Sequence, residues 1–170
     1  MRSDASLAIA LLAAARHDSD SAEQCCRLLL DRAVASDAWR RARQTALARA
    51  GLTETGFAVL VVLWRRSPPP QGRGALAAAA ELSPACAADA LLRLEVSGLV
   101  ERELRHGRRA FWQLTTAGLR QVAAGLDCYV QAVKSVTRQL SAAEIGAAMT
   151  VAGKIRDGAA ELERSVNDGA

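Results

Sequence analysis

Between Leu82 and Leu114 the apolar residues change period once, and that change restricts the chain more than any other feature. Up to Gly98 they recur at helical spacing, with Leu91, Leu94 and Leu82 placed to face inward. Pro84 suits the first helical position, where its missing N–H is no loss, and Gly98 suits the helix end. From Leu99 onward the pattern alternates. Leu99, Glu101 and Glu103 interleave with Val100, Arg102 and Leu104, and Phe111, Trp112 and Leu114 are good strand formers. Two short strands around a tip that contains Gly107 predict a hairpin.

Upstream, "RGALAAAAEL" predicts a short helix from Arg73, with a turn at Glu81-Leu82-Ser83 before the helix that Pro84 opens. Two short helices joined by a tight turn make a helix-turn-helix, and a hairpin directly after one is a wing. Ser67–Gly72, "SPPPQG", is a breaker and surface loop. Before it, Thr53 is placed to cap a helix in which Phe57, Leu60, Val61 and Trp64 fall at helical spacing and are expected to face a core. A longer helix should precede that one, opened by a capping box with Ser21 as N-cap and Gln24 reaching back, and closed near Ala50 and Gly51.

After the hairpin, Thr115 or Thr116 is placed to cap another long helix. Leu119, Val122, Leu126, Tyr129 or Val130, Val133, Val136 and Leu140 form an apolar stripe suited to a partner helix. Ser141-Ala-Ala-Glu144 is a second capping box, opening a final helix that carries Ile145, Met149, Ala152 and Ile155. The last residues, "SVNDGA", are expected to fray.

The composition agrees with a mainly α fold. Of 170 residues 51% are apolar, much of that alanine, and 4% aromatic. A net charge of +4 is modest, but four arginines and one acid fall between Arg102 and Arg109. Cys25, Cys26, Cys86 and Cys128 lack zinc-ligand spacing and read as reduced thiols of a cytoplasmic protein. The apolar run Leu7–Ala15 is too short to span a membrane. It reads as part of a helical arm over residues 1–20 rather than as an export signal, because Asp4 and "RHDSDS" flank it. His17 and His106 stand apart, and no nucleophilic triad, metal cluster or phosphate loop is visible, so neither an enzyme nor a cofactor or metal is expected.

The order of these elements resembles the multiple-antibiotic-resistance regulator (MarR) family of bacterial winged-helix repressors. The resemblance rests on "LTETGFAVL" at Leu52–Leu60, "LA" at Leu76–Ala77, "LSPACAADALLRLEVSGLVER" at Leu82–Arg102, "RRAFWQLTTAG" at Arg108–Gly118 and "LSAAE" at Leu140–Glu144. It implies a winged helix-turn-helix over 51–115, and a helical dimerisation region formed by the N- and C-terminal helices over 21–50 and 116–170. It also implies a homodimer on a pseudo-palindromic double-stranded DNA operator, acting as a repressor released by a small aromatic or acidic ligand. Two further readings stay open: a regulator of this fold switched by thiol oxidation, and a dimeric interaction protein on the same scaffold that has lost sequence-specific DNA binding.

In this reading Ser83, Pro84, Ala85, Cys86, Ala88 and Asp89 lie against the major groove. Arg73 and Arg93 hold phosphates, and Arg105, Arg108 and Arg109 serve the minor groove or phosphates. The helix is unusually apolar for that task. Alanines touch thymine methyl groups but form no bidentate base contacts, and Asp89 stands where a basic residue is common in the family. Gly107 stands where the family usually has an acid, so Arg109 is left free or to Glu101 or Glu103. Trp39, Arg43, Phe57, Trp64 and Trp112 are candidates for an effector crevice, an apolar site with one arginine for a carboxylate. Cys25 and Cys26 are the candidate redox thiols.

Overall fold

The computed structural model describes the backbone of residues 2–65, 72–105 and 109–168. The described elements are helices α1 (Arg2–Asp18), α2 (Asp20–Arg49), α3 (Glu54–Arg65), α4 (Arg73–Ala79) and α5 (Pro84–Val96), strands β1 (Val100–Arg105) and β2 (Arg109–Leu114), and helices α6 (Thr116–Thr137) and α7 (Ala142–Asp168). This is a mainly α, winged helix-turn-helix fold. The chain divides into two compact units, Met1–Ala132 and Val133–Ala170.

The first unit is built on an apolar core drawn from five helices and both strands. Leu47 of α2, Val59, Leu60 and Leu63 of α3, Leu76 of α4, Leu91 and Leu94 of α5, Val100, Trp112, and Val122 of α6 are all buried there. Removing one such leucine side chain to the Cβ would cost about 2–5 kcal/mol. In α3 the buried face is Gly56, Phe57, Val59, Leu60 and Leu63. Val61 is only half-buried and Trp64 is 52% exposed, contrary to expectation. The run "FAVLVVLW" is apolar throughout, so its sequence pattern does not single out one face.

Helix α2 also begins earlier than expected. Ser19, not Ser21, is its N-cap: φ −167° and ψ 158° break the helix there, and the hydroxyl accepts from the N–H of Ala22 at 3.1 Å. Residues 2–18 form a helix of their own, separated from α2 by Ser19 alone. At the other end, Gly51 takes φ +66° and α2 stops at Arg49.

One junction fixes the wing. The Thr115 hydroxyl donates to the carbonyl of Gly98 at 2.7 Å and accepts from the N–H of Gly118 at 3.0 Å. The Thr115 N–H donates to the carbonyl of Leu99 at 3.1 Å. Thr115 is thus the cap of α6 and a clasp across the base of the hairpin. Gly118 lies so close to Leu99 that a Cβ there would collide with its backbone carbonyl oxygen. Only glycine lets α6 approach this far.

In the second unit, the expected capping box is present. The Ser141 N–H donates to Glu144 at 2.8 Å, the Ser141 hydroxyl donates to the same oxygen at 2.7 Å, and the Glu144 N–H donates back to that hydroxyl at 3.3 Å. Those bonds to its charged form hold the Glu144 carboxyl below its ordinary pKa. Helix α7 buries no residue. It continues through Ser165–Asp168, which were expected to fray.

Two outcomes follow. Gly118→Ala should destabilise the fold by about 2–4 kcal/mol, because the obstacle is backbone. Gly74→Ala, on α4 with open space around its Cβ position, should be neutral or stabilise by up to about 1 kcal/mol; thermal denaturation of both variants tests the contrast. Ser141→Ala should raise the Glu144 pKa, measured by NMR titration. A depressed folded value means that the cap stabilises above the ordinary carboxylate range and is lost as pH falls.

Candidate nucleic-acid interface

Helices α4 and α5 are bent by 105° relative to one another, within the range of helix-turn-helix pairs. The turn reaches that angle through Glu81, the one described non-glycine residue with positive φ, at 55°. A left-handed non-glycine residue costs on the order of 1 kcal/mol. Ser83 then caps α5, its hydroxyl accepting from the N–H of Cys86 at 3.2 Å, and Pro84 occupies the first turn.

Helix α5 has two faces. Ala87, Ala90, Leu91 and Leu94 are buried against the core. Ser83, Pro84, Ala85, Cys86 and Asp89 are exposed, and Ala88 is half-buried. Beyond them Leu92 is 59% and Val96 82% exposed. The open face therefore offers small and apolar groups around a single charged couple: Arg93 Nε lies 3.1 Å from Asp89 Oδ2, one helical turn apart. Arg93, expected to hold a phosphate, already has a carboxylate at hand. Glu95 faces Arg102 of β1 at 3.8 Å. A cavity of about 240 Å³ opens beside this pair, lined among others by Thr53, Thr55, Asp89, Arg93 and Ser97. Arg73 is exposed at the start of α4.

The wing strands pair antiparallel, Val100 opposite Leu114, Arg102 opposite Trp112 and Arg105 opposite Arg109. The Arg102 guanidinium stands 6.0 Å from the centre of the Trp112 ring, a cation–π distance. Across the strands the Gln113 amide donates to Glu101 at 2.7 Å. Arg105 and Arg109 occupy facing register positions where the strands meet the tip. Their side chains, and Arg108 altogether, lie outside the described residues.

Of the five residues proposed for an effector crevice, Trp39, Arg43 and Phe57 gather around Tyr129. Trp39 meets Tyr129 of α6 edge-on at 5.6 Å, and Phe57 stacks on the same ring at 6.2 Å. Arg43 joins this cluster but is held by the Glu54 carboxylate, which also accepts from Gln44 at 3.1 Å. The hydrogen bond to Glu54, followed by its charge and a bond to Tyr129, raises the Arg43 pKa against the opposing effect of burial. Trp64 is exposed, whereas Trp112 is buried in the core with an indole N–H that finds no hydrogen-bond partner among the described residues. Tyr129 and Glu54 are the members that sequence reasoning missed. Tyr129 sat on the apolar stripe, and Glu54 is eleven residues from Arg43, a spacing that marks no helical pair. Of the candidate redox thiols, Cys25 is exposed and Cys26 half-buried.

No family model and no curated protein matches the sequence. Solved structures do match the fold. A MarR family transcription regulator aligns with a TM-score of 0.70 at 21% identity, covering 89% of this chain and 98% of its own. MepR, a transcription regulator of the Staphylococcus aureus multidrug efflux pump MepA, aligns at 0.62 with 21% identity, covering 76% and 95%. A complex of S. aureus MepR with DNA aligns at 0.59 with 20% identity, covering 76% and 93%. The chain has the fold of MarR family regulators.

The Arg43 pairing has a measurable consequence. Glu54→Gln should lower stability by about 1 kcal/mol, a figure discounted for partial exposure, and leave the helix content unchanged; urea unfolding followed by circular dichroism measures both.

Proposed function

We propose that the chain is a MarR-type DNA-binding transcriptional regulator that acts as a homodimer and represses until a small aromatic or acidic molecule releases it. The observation that carries this reading is the open face of α5, set by the 105° turn and rooted beside a hairpin whose tip is rich in arginine. A helix so presented fits the major groove, and arginines on a hairpin suit the narrower minor groove. MepR, which shares the fold, has been captured with DNA. Arg105, Arg108 and Arg109 then supply charge, while Ser83–Ala88 supply shape.

Dimerisation is supported by apolar side chains that one copy leaves bare. Ile9 of α1 and Leu28, Leu29 and Val34 of α2 are exposed, as are Met149, Leu162 and Val166 of α7. Scattered single apolar residues are ordinary on a surface, but the whole 27-residue α7 buries none of its own. A second copy is the occupant that two-fold DNA sites favour, since a pseudo-palindrome mirrors a two-fold dimer.

The effector reading rests on the Trp39–Phe57–Tyr129 cluster with Arg43 at its edge. An acidic ligand entering there meets an arginine whose Nε already donates to Glu54. The interaction-protein reading draws on one specific observation: the apolar, self-neutralised outer face of α5.

A mobility shift on the DNA upstream of the protein's own gene separates these readings. Tight, salt-sensitive and sequence-selective binding supports the regulator; indifference to sequence supports the interaction protein. Replacing both Arg108 and Arg109 by alanine should weaken binding at least tenfold and lower the slope of log affinity against log salt by about two per protomer. Unchanged affinity and slope would remove the wing from the interface.

A further inference from the structure

Resting on the DNA-binding reading above, we propose that Asp89 is the specificity-determining residue of α5: its carboxylate selects a cytosine amino group, and Arg93 is the positioning residue that makes the acid tolerable beside phosphates. The face of α5 turned away from the core presents Ala85, Cys86, Asp89, Leu92, Arg93 and Val96. Along it, the hydroxyl of Ser83 is engaged as the helix cap, and Glu95 faces Arg102 instead. Asp89 and Arg93 are the only residues of this set with charged hydrogen-bonding groups. An ionised carboxylate is an acceptor only. In the major groove, guanine and thymine present acceptors to it, and adenine presents its amino donor next to the N7 acceptor. Cytosine presents an amino donor alone. Acceptor-to-acceptor contacts repel, so the carboxylate favours cytosine over the other three bases.

Charge decides whether the acid survives there. An isolated aspartate facing two phosphate backbones would oppose binding at any sequence. With Arg93 Nε 3.1 Å from Asp89 Oδ2, the couple carries no net charge; the second carboxylate oxygen, Oδ1, is the one that would accept from a base. Both side chains are more than half exposed, so neither is tied to the core and the couple is free to meet a ligand. The pair therefore adds selectivity without adding to the counterion release that drives affinity. The remaining residues of the face contribute contact with thymine methyl groups, which is weakly directional.

The test is selection of bound sequences from random duplex DNA by the full-length protein, wild type against Asp89→Asn. Asparagine keeps the shape and pairs bidentately with adenine. The expected result is a cytosine preferred by wild type at one position per bound protomer, by roughly tenfold over the next base. In Asp89→Asn that position should turn to adenine while the other positions stay as they were. The variant, with Arg93 released, should also steepen the salt dependence by about one per protomer. Because Asp89 is exposed, its folding is checked by an unchanged melting temperature. An identical base preference in the two proteins, or a wild type with no cytosine-selective position, overturns the proposal while leaving the DNA-binding reading standing. No salt-dependent duplex binding by the wild type overturns both.

Discussion

The clasp at Thr115 is the contact on which the rest of the winged unit depends. One hydroxyl joins the end of α5, through the Gly98 carbonyl, to the first turn of α6, through the Gly118 N–H, and the backbone of Thr115 adds the Leu99 carbonyl. Two chain segments, residues 98–99 and 115–118, are therefore joined through one side chain. Side chain-to-backbone bonds of this kind are each worth about 1 kcal/mol, but their effect here is geometric. The hairpin leaves α5 and enters α6 at the same point, so the strands cannot swing without breaking the helix cap. The absence of a side chain at position 118 completes the arrangement by letting α6 rest on the Leu99 carbonyl.

Much of this was legible in the sequence, because the devices are local. Pro84, Gly98 and the Ser141–Glu144 box each act within a few residues, and each does what its spacing dictates. The change from helical to alternating period marked the wing for the same reason. Failures arose where local signals compete or where the partner is distant. The capping-box spacing points to Ser21, but a serine two residues earlier, Ser19, caps the helix. Helix α3 is apolar on all sides, so the exposure of Trp64 is set by what packs on the other face. The Arg43–Glu54 pair and the Tyr129 ring between Trp39 and Phe57 need three helices to be in place before the residues meet.

Charge and shape are divided between the two parts of the proposed interface. The hairpin tip holds arginines at facing positions, Arg105 against Arg109 in the strand register. Helix α5, by contrast, neutralises itself through Asp89 and Arg93. Under the proposed reading, the arginines of the tip serve a polyanion of any sequence and the helix serves selection. That division matches a general pattern in which backbone contacts position a protein and base contacts specify its site.

The two-faced character of α5 has a consequence for how such a chain changes over generations. Its inward residues, Ala87, Ala90, Leu91 and Leu94, are locked into the core, while Ala85, Cys86, Asp89, Leu92 and Val96 are open to solvent. Exposed substitutions usually alter stability by less than about 0.5 kcal/mol. The exposed half of α5 can thus be substituted widely at almost no thermodynamic penalty, while the buried half holds the scaffold constant. The fold outlasts any single set of contacts because it does not depend on them.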